Sequence, residues 1–514
     1  MLNSALHRKA YIFFISCLAA AISLGKVPMS ISLIGMIFNF LLEGRFRRKW
    51  GIIKKRKYLP IILSGLFLVE FLWLPFCDDI FLGLNALRIK LPLLLLPVII
   101  GASAAITKKE LKTIVSIFFI GLLVSTIWVY LVSIDLLPTK KNSGTIRDAS
   151  IFMSHIRYSV LLSFSLIFLC YLSYKTKINK ALAYLMCLWL FFLIFKLATL
   201  TAILALFVAI IVSFFYLLKK NNKQIITSVA FFLLAAILYN VSIVKDFYHL
   251  KKEERSTSET SILGEKYWRD LNDNTTENGY YLFENIAINE LEKEWNKRSE
   301  IKFKGLDKKG QKIKATLYRF LTSKGLNKDS LGLSKLSSKE ISLVEQGETT
   351  VIGYNNYEKR VRALLYEREI NKKSNNPNNQ TINQRLEFWK LGQKIFLEKS
   401  VLGHGPGGIK SAFKNYYNSN PTLLKKENRL LAHNQFITQA VNLGGLGFCL
   451  WLAILVLSFL KVKKERIPLF SSYAILMFFA FISDDMLEVQ AGVTIFSFFG
   501  TLFLFYNAED LEIL

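Results

Sequence analysis

The stretch HNQFITQAVNLGGLGFCLWLAILVLSFL, residues 433–460, decides how the chain is read. It holds 28 residues with no Lys, Arg, Asp or Glu, and about 20 apolar residues in helical form cross a bilayer. Every backbone polar group inside lipid must be paired within the segment, so such a run reads as a membrane helix. Working outward, eleven similar runs follow, near residues 10–25, 27–43, 59–76, 91–106, 114–137, 158–174, 181–196, 199–217, 225–244, 469–483 and 491–507. The first has a basic start and small residues, like a secretory signal; eleven runs after it favour an uncleaved signal-anchor. The expected fold is therefore an all-α polytopic membrane protein with about twelve transmembrane helices. Its parts are residues 1–244 (helices one to nine), 245–432 (a long loop) and 433–514 (helices ten to twelve).

Composition agrees. Among 514 residues, 52% are hydrophobic, 41 are Phe, and the net charge is +28; the mean hydropathy is +0.33. A chain both oily and basic carries its positive charge in loops, where Lys and Arg are retained on the cytoplasmic side. Alternate loops hold 23 Lys+Arg on one side, eight of them in RFRRKWGIIKKRK (45–57), against 8 on the other. Both termini are thus expected in the cytoplasm and the long loop outside. That loop's own net charge of +11 is exempt from the count because long segments translocate regardless of charge. Nucleic acid need not be invoked. The five cysteines show no CxxC pair, so neither a zinc site nor a disulfide framework is expected.

Within the loop, Ile288, Leu291 and Trp295 fall on one helical face, and Arg385, Trp389, Gly392 and Phe396 on another. The loop is expected to be mainly helical, with INKKSNNPNNQT (370–381) as a connector. Chemistry-bearing residues concentrate at its end. Gly403-His404-Gly405-Pro406-Gly407-Gly408 requires a tight turn, whose amides suit either an anion or a plain connection. His433 stands at the mouth of the tenth helix beside Asn434. An imidazole there suits a general base for a hydroxyl, and equally a polar helix cap. Gly444, Gly445 and Gly447 would let that helix pack tightly.

Arg385 with Trp389, the Gly403–Gly407 turn, and His433-Asn434 followed by Gly444 and Gly447 resemble the signature region of the O-antigen ligase family, which also includes O-antigen polymerases and protein O-oligosaccharyltransferases. The motif occupies about 65 residues, and the expected topology is also similar. The resemblance implies a GT-C-like membrane glycosyltransferase of the bacterial inner membrane with a large periplasmic loop. It would move a polysaccharide from undecaprenyl diphosphate to a hydroxyl of lipid A-core at the periplasmic face, inverting, with no metal or other cofactor. It further implies His433 as base and Arg385 as a diphosphate grip, with Asn434, Trp389, Gly405 and Gly407 in support. His404 is an alternative base. Arg157, Arg88 and Lys196 are further diphosphate candidates; snorkelling to the interface accounts for the arginines equally well. The chain departs from the family in having Lys196 where a Ser-Arg pair is common, Gly392 for alanine, and Ser400 for proline. Glu70, Asp78 and Asp79 read as solvated or paired with Arg88, with an acid that orients His433 as the other option. The class alternative is a transporter, which would place ionisable groups or broken helices at mid-bilayer.

Overall fold

The computed structural model describes residues 4–138, 149–175, 178–218, 223–251, 255–373, 376–378, 380–460 and 467–505. Lys140, Lys141, Arg147 and the basic 461–466 connector of the orientation count lie outside the described residues. The chain is mostly helical, at 72%. Among the described residues nine helices are long and apolar enough to span a bilayer: Ser4–Leu24, Lys26–Glu43, Leu59–Phe76, Ile80–Ala102, Lys108–Ser133, His155–Tyr174, Lys180–Leu197, Thr227–Tyr248 and Gln435–Ser458. Three shorter apolar helices, Leu200–Val212, Leu469–Ser483 and Gln490–Phe505, accompany them. The protein is a multi-pass membrane protein.

Two compact units emerge, one from Met1–Pro138, Ser150–Val229 and Asn376–Leu514, the other centred on Ala230–Asn375. Residues 376–432, counted with the long loop in the sequence, thus fold with the first unit. In that unit the Gln490–Phe505 helix lies at the centre, and nearly all its side chains are buried. Phe118, Phe164, Phe499, Phe503 and Tyr473 stack around it with ring centroids 4.5–6.0 Å apart, the offset and edge contacts that aromatic quadrupoles favour. Ser4–Leu24 meets Lys108–Ser133 where a methyl group on Gly121 would fall 2.7 Å from the Ala20 Cα. Small residues there let the two backbones touch. Helix starts follow local chemistry: Thr107 and Glu110 form a capping box, and Asp79 accepts from the Phe81 and Leu82 amides.

The fourth span does not open near Arg88: it begins at Ile80 and runs to Ala102, with Ile80–Lys90 and Pro92–Ala102 meeting at Leu91, so Arg88 and Lys90 fall in the last turn of its first piece.

In the second unit, Leu291 and Trp295 are fully buried on the Ile288–Arg298 helix, packed with Phe303, Leu317, Phe320, Leu333 and Val344. A two-residue ladder, Thr276–Glu277 against Tyr280–Tyr281, turns through Asn278-Gly279, both at positive φ, as a tight primed hairpin turn requires. The Asn356–Lys373 helix joins the end of Lys223–Tyr248 through Tyr357 Oη to Asn240 at 2.7 Å and an Arg362–Asp246 ion pair.

Candidate functional site

Asn434 accepts from the Phe436 and Ile437 amides at 3.0 and 3.2 Å, so it caps the Gln435–Leu460 helix. The residue before a cap leaves the helical path, and His433 does so at φ 46°, which a non-glycine residue adopts at some cost. Its imidazole is 38% exposed, turns Nδ1 toward Asp484 Oδ1 at 3.9 Å, and faces the Phe388 ring at 6.2 Å. That separation is too long for a hydrogen bond, and the contact becomes an ion pair when the imidazole carries a proton. Trp389 donates to the Ala432 carbonyl at 3.1 Å, which ties the Thr381–Glu398 helix to the residue preceding His433. Arg385 lies half-buried on that helix, one turn before Phe388 and Trp389.

Behind His433 stands a charged layer that sequence reasoning did not assemble. Arg157 Nη2 pairs with Asp484 Oδ2 at 2.9 Å and also reaches the Asp485 carbonyl at 3.3 Å. Burial pushes the Asp484 carboxyl up, but His433 and Arg157 together outweigh burial and hold it below the usual carboxylate range. Burial pushes its neighbour Asp485 up instead, despite the Thr438 hydroxyl donating to it at 2.5 Å. The signal for both acids was the Ser-Asp-Asp-Met interruption at 483–486 between two apolar runs. Its partners could not be read because they stand on other elements, His433 and Thr438 about fifty residues before it and Arg157 more than 300.

Deeper in the unit, Lys90 is fully buried and contacts Glu70 Oε1 and Glu488 Oε1, each at 2.7 Å. Gln439 also donates to Glu70 at 2.8 Å, while Glu70 Oε2 and Gln439 Oε1 have no partner. Glu70 is therefore neither solvated nor paired with Arg88. Arg88 is exposed and donates to Asn85 at 2.8 Å. Asp78 pairs with Lys399 at 2.7 Å, whose hydrogen bond holds its carboxyl below the usual range, and Asp79 is a helix cap. The acid facing His433 is Asp484.

The glycine turn is a packing device. The His404 and Gly405 amides donate to the Val441 and Asn442 carbonyls at 3.0 and 2.8 Å, and the Ile409 amide to the Asn442 side chain at 2.9 Å. These donors are spent within the fold, so they do not form an anion cradle. Gly403, Gly405 and Gly407 all have φ above 70°, and a methyl group on Gly405 would lie 2.6 Å from the Cys77 backbone. The tenth helix is not continuous either. Gly444 breaks it at φ 61°, ψ −174°, and the freed Gly445 and Leu446 amides donate to Ser400 and Val401 at 2.7 and 3.2 Å. Unwound backbone at membrane depth persists where other protein groups satisfy it.

His404 is buried, with Nδ1 3.6 Å from Asp78 and Nε2 3.5 Å from the Ile395 carbonyl. Its surroundings make it a structural tie, not an accessible base. Lys196 lies over the Tyr130 ring at 4.4 Å and near Phe192. The structure therefore gathers His433, Asn434, Trp389 and, through Asp484, Arg157. It sets Arg385 one helical turn from that group, and gives Arg88, Lys196, His404, Gly405 and Gly407 other surroundings. No protein-family model matches this chain, and a sequence search among curated proteins returns no match.

Proposed function

We propose that this protein is a membrane glycosyltransferase of the O-antigen ligase type. It would pass a polysaccharide from undecaprenyl diphosphate to a hydroxyl of lipid A-core at the periplasmic face of the bacterial inner membrane, with both termini cytoplasmic. The carrying observation is the exposed imidazole of His433 with the ion-paired Asp484 behind it. Nδ1 faces the carboxylate, which leaves Nε2 for substrate. In the step, the acceptor oxygen attacks the anomeric carbon, His433 takes the hydroxyl proton, and the carbon–oxygen bond to the diphosphate breaks with inversion. Undecaprenyl diphosphate departs carrying the electron pair. Asp484 stabilises the imidazolium, and Arg157 keeps Asp484 ionised and oriented. Arg385 would meet the departing diphosphate with its two-pronged guanidinium. His433 bears on acid–base work, not on the acceptor, so an O-antigen polymerase or a protein O-oligosaccharyltransferase would use the same arrangement.

Reconstitution with an undecaprenyl diphosphate glycan tests this, offering lipid A-core, a second polyprenyl-linked chain or a protein acceptor, with and without chelator. Transfer to lipid A-core that survives chelation and is lost in His433→Ala supports the ligase. Transfer unaffected by that substitution sinks the mechanism.

A second reading draws on the buried Lys90–Glu70–Glu488 cluster and the helix broken at Gly444, both features of transporters. It expects movement of intact lipid-linked glycan across proteoliposomes with no covalent product.

A further inference from the structure

A cavity of about 410 Å³ opens at the basic end of the first unit, lined by Arg8, Tyr11, Asn39, Glu43, Arg45, Arg48 and Lys49 among others. The helices that form it are Ser4–Leu24, Lys26–Glu43 and the short Phe46–Lys55, closed by residues 99–107. Its charges are unequally used. Arg8 is held by Glu110 at 2.6 Å and by the Ala104 and Ala105 carbonyls at 3.0 and 2.8 Å. Lys49 is held by Glu43 at 3.0 Å and by the Phe40 carbonyl at 2.5 Å, and His7 pairs with Asn39 at 2.9 Å. Both acids are thereby neutralised. The guanidinium groups of Arg45 and Arg48 have no partner among the described residues, so the cavity keeps two uncompensated arginines. Tyr11 adds a second observation: 95% buried and lining the cavity, its hydroxyl has no hydrogen-bond partner. The Ser103 hydroxyl beside it donates to the Ile99 carbonyl at 2.6 Å and could accept from Tyr11 only by closing up. A buried hydroxyl left unpaired is costly unless something supplies the missing acceptor.

The surroundings indicate what that something is. Phe46 and Trp50 are exposed on the short helix beside Arg47, Arg48, Lys54 and Lys55, and Trp50 meets Tyr58 edge-on at 6.0 Å. An amphipathic, basic, aromatic-bearing helix lies in a membrane–water interface. Val27, Ile31, Ile34, Phe38 and Leu41 form an exposed apolar stripe along the helix that leads to the cavity, on the side where acyl chains would run. We propose that this cavity binds the phosphate headgroup of an anionic lipid, with Arg45 and Arg48 gripping the phosphate oxygens and the Tyr11 hydroxyl donating to one of them. Basic pockets between membrane helices recognise lipid phosphates in this way, and the positive-inside count puts this one in the cytoplasmic leaflet. A free phosphate shares the chemistry but has no use for the apolar stripe.

The test is native mass spectrometry of the full chain released from micelles doped with phosphatidylglycerol, with thermal unfolding measured in parallel. Wild type should retain one phosphate-lipid adduct, and the lipid should raise its Tm. Arg45→Gln/Arg48→Gln should bind roughly 30-fold more weakly, from about a fivefold factor for each arginine, with its lipid-free Tm unchanged. Lys54→Gln/Lys55→Gln, on the same helix but outside the lining, should bind as wild type. Tyr11→Phe should weaken the adduct while leaving the lipid-free Tm equal or higher, because an unpaired hydroxyl is removed. Equal weakening in both double variants would reduce the site to general surface charge and overturn the proposal. So would the absence of an adduct, or protection by inorganic phosphate equal to that by the lipid.

Discussion

Replacing Asp484 by Asn tests the proposed chemistry most directly, because it removes one charge from behind His433 and little volume. The two side chains are 3.9 Å apart. At an effective dielectric near 20, a carboxylate attracts an imidazolium at that distance by about 4 kcal/mol. His433 is 38% exposed, and solvent screening reduces the figure to about 1–2 kcal/mol. Lost from the transition state alone, that slows transfer roughly 5- to 30-fold. The assay is initial-rate transfer from the polyprenyl diphosphate donor in proteoliposomes. The expected result is a fall in kcat with the donor KM unchanged, since Asp484 does not touch the donor. Arg157 loses its counter-ion in this variant, so Asp484→Glu, which keeps the charge, controls for misfolding and should recover most of the rate. A folded Asp484→Asn protein with wild-type kcat, beside an inactive His433→Ala, would refute the role given to the carboxylate.

Three further outcomes follow from the same geometry. Gly444→Ala forces a side chain into positive φ against the Val401 carbonyl and should cost at least about 2 kcal/mol; an unchanged Tm in detergent would show that the kink is dispensable. Lys90→Met leaves Glu70 and Glu488 buried without their shared cation and should destabilise the first unit by about 3–5 kcal/mol, read as a lower Tm or loss of folded protein. In the second unit, burial lowers the Lys328 ammonium from its ordinary 10.5 to about 7. Between those values the unfolded chain binds a proton that the folded chain does not, so stability should rise with pH across that window and carry its full penalty below pH 7. Hydrogen exchange of peptides spanning residues 281–333 in the full chain should show that slope, and Lys328→Met should flatten it.

The helical architecture was legible because apolar runs have no alternative in lipid: each must close its own hydrogen bonds. The amphipathic helices around Trp295 and Trp389 were equally local, as a 3.6-residue period needs no partner to be seen. The site was legible only in part. His433 and Asn434 stood out as polar residues at the head of an apolar run, yet the sequence could not separate cap from base, and the structure assigns the cap to Asn434 alone. The glycines at 403–408 and Gly444 announced tight backbone without saying against what. They close on each other across 40 residues.

The order of apolar runs and the bias of basic loops followed from the chain itself, because lipid and water sort residues by local composition. Which charges meet was a tertiary matter. Glu70 finds Lys90 rather than Arg88, Arg157 is committed to Asp484, and His433 gains its acid from a loop fifty residues further on. Ion pairs depend on distances of a few ångströms between helices remote in sequence, and only the packed bundle sets those distances.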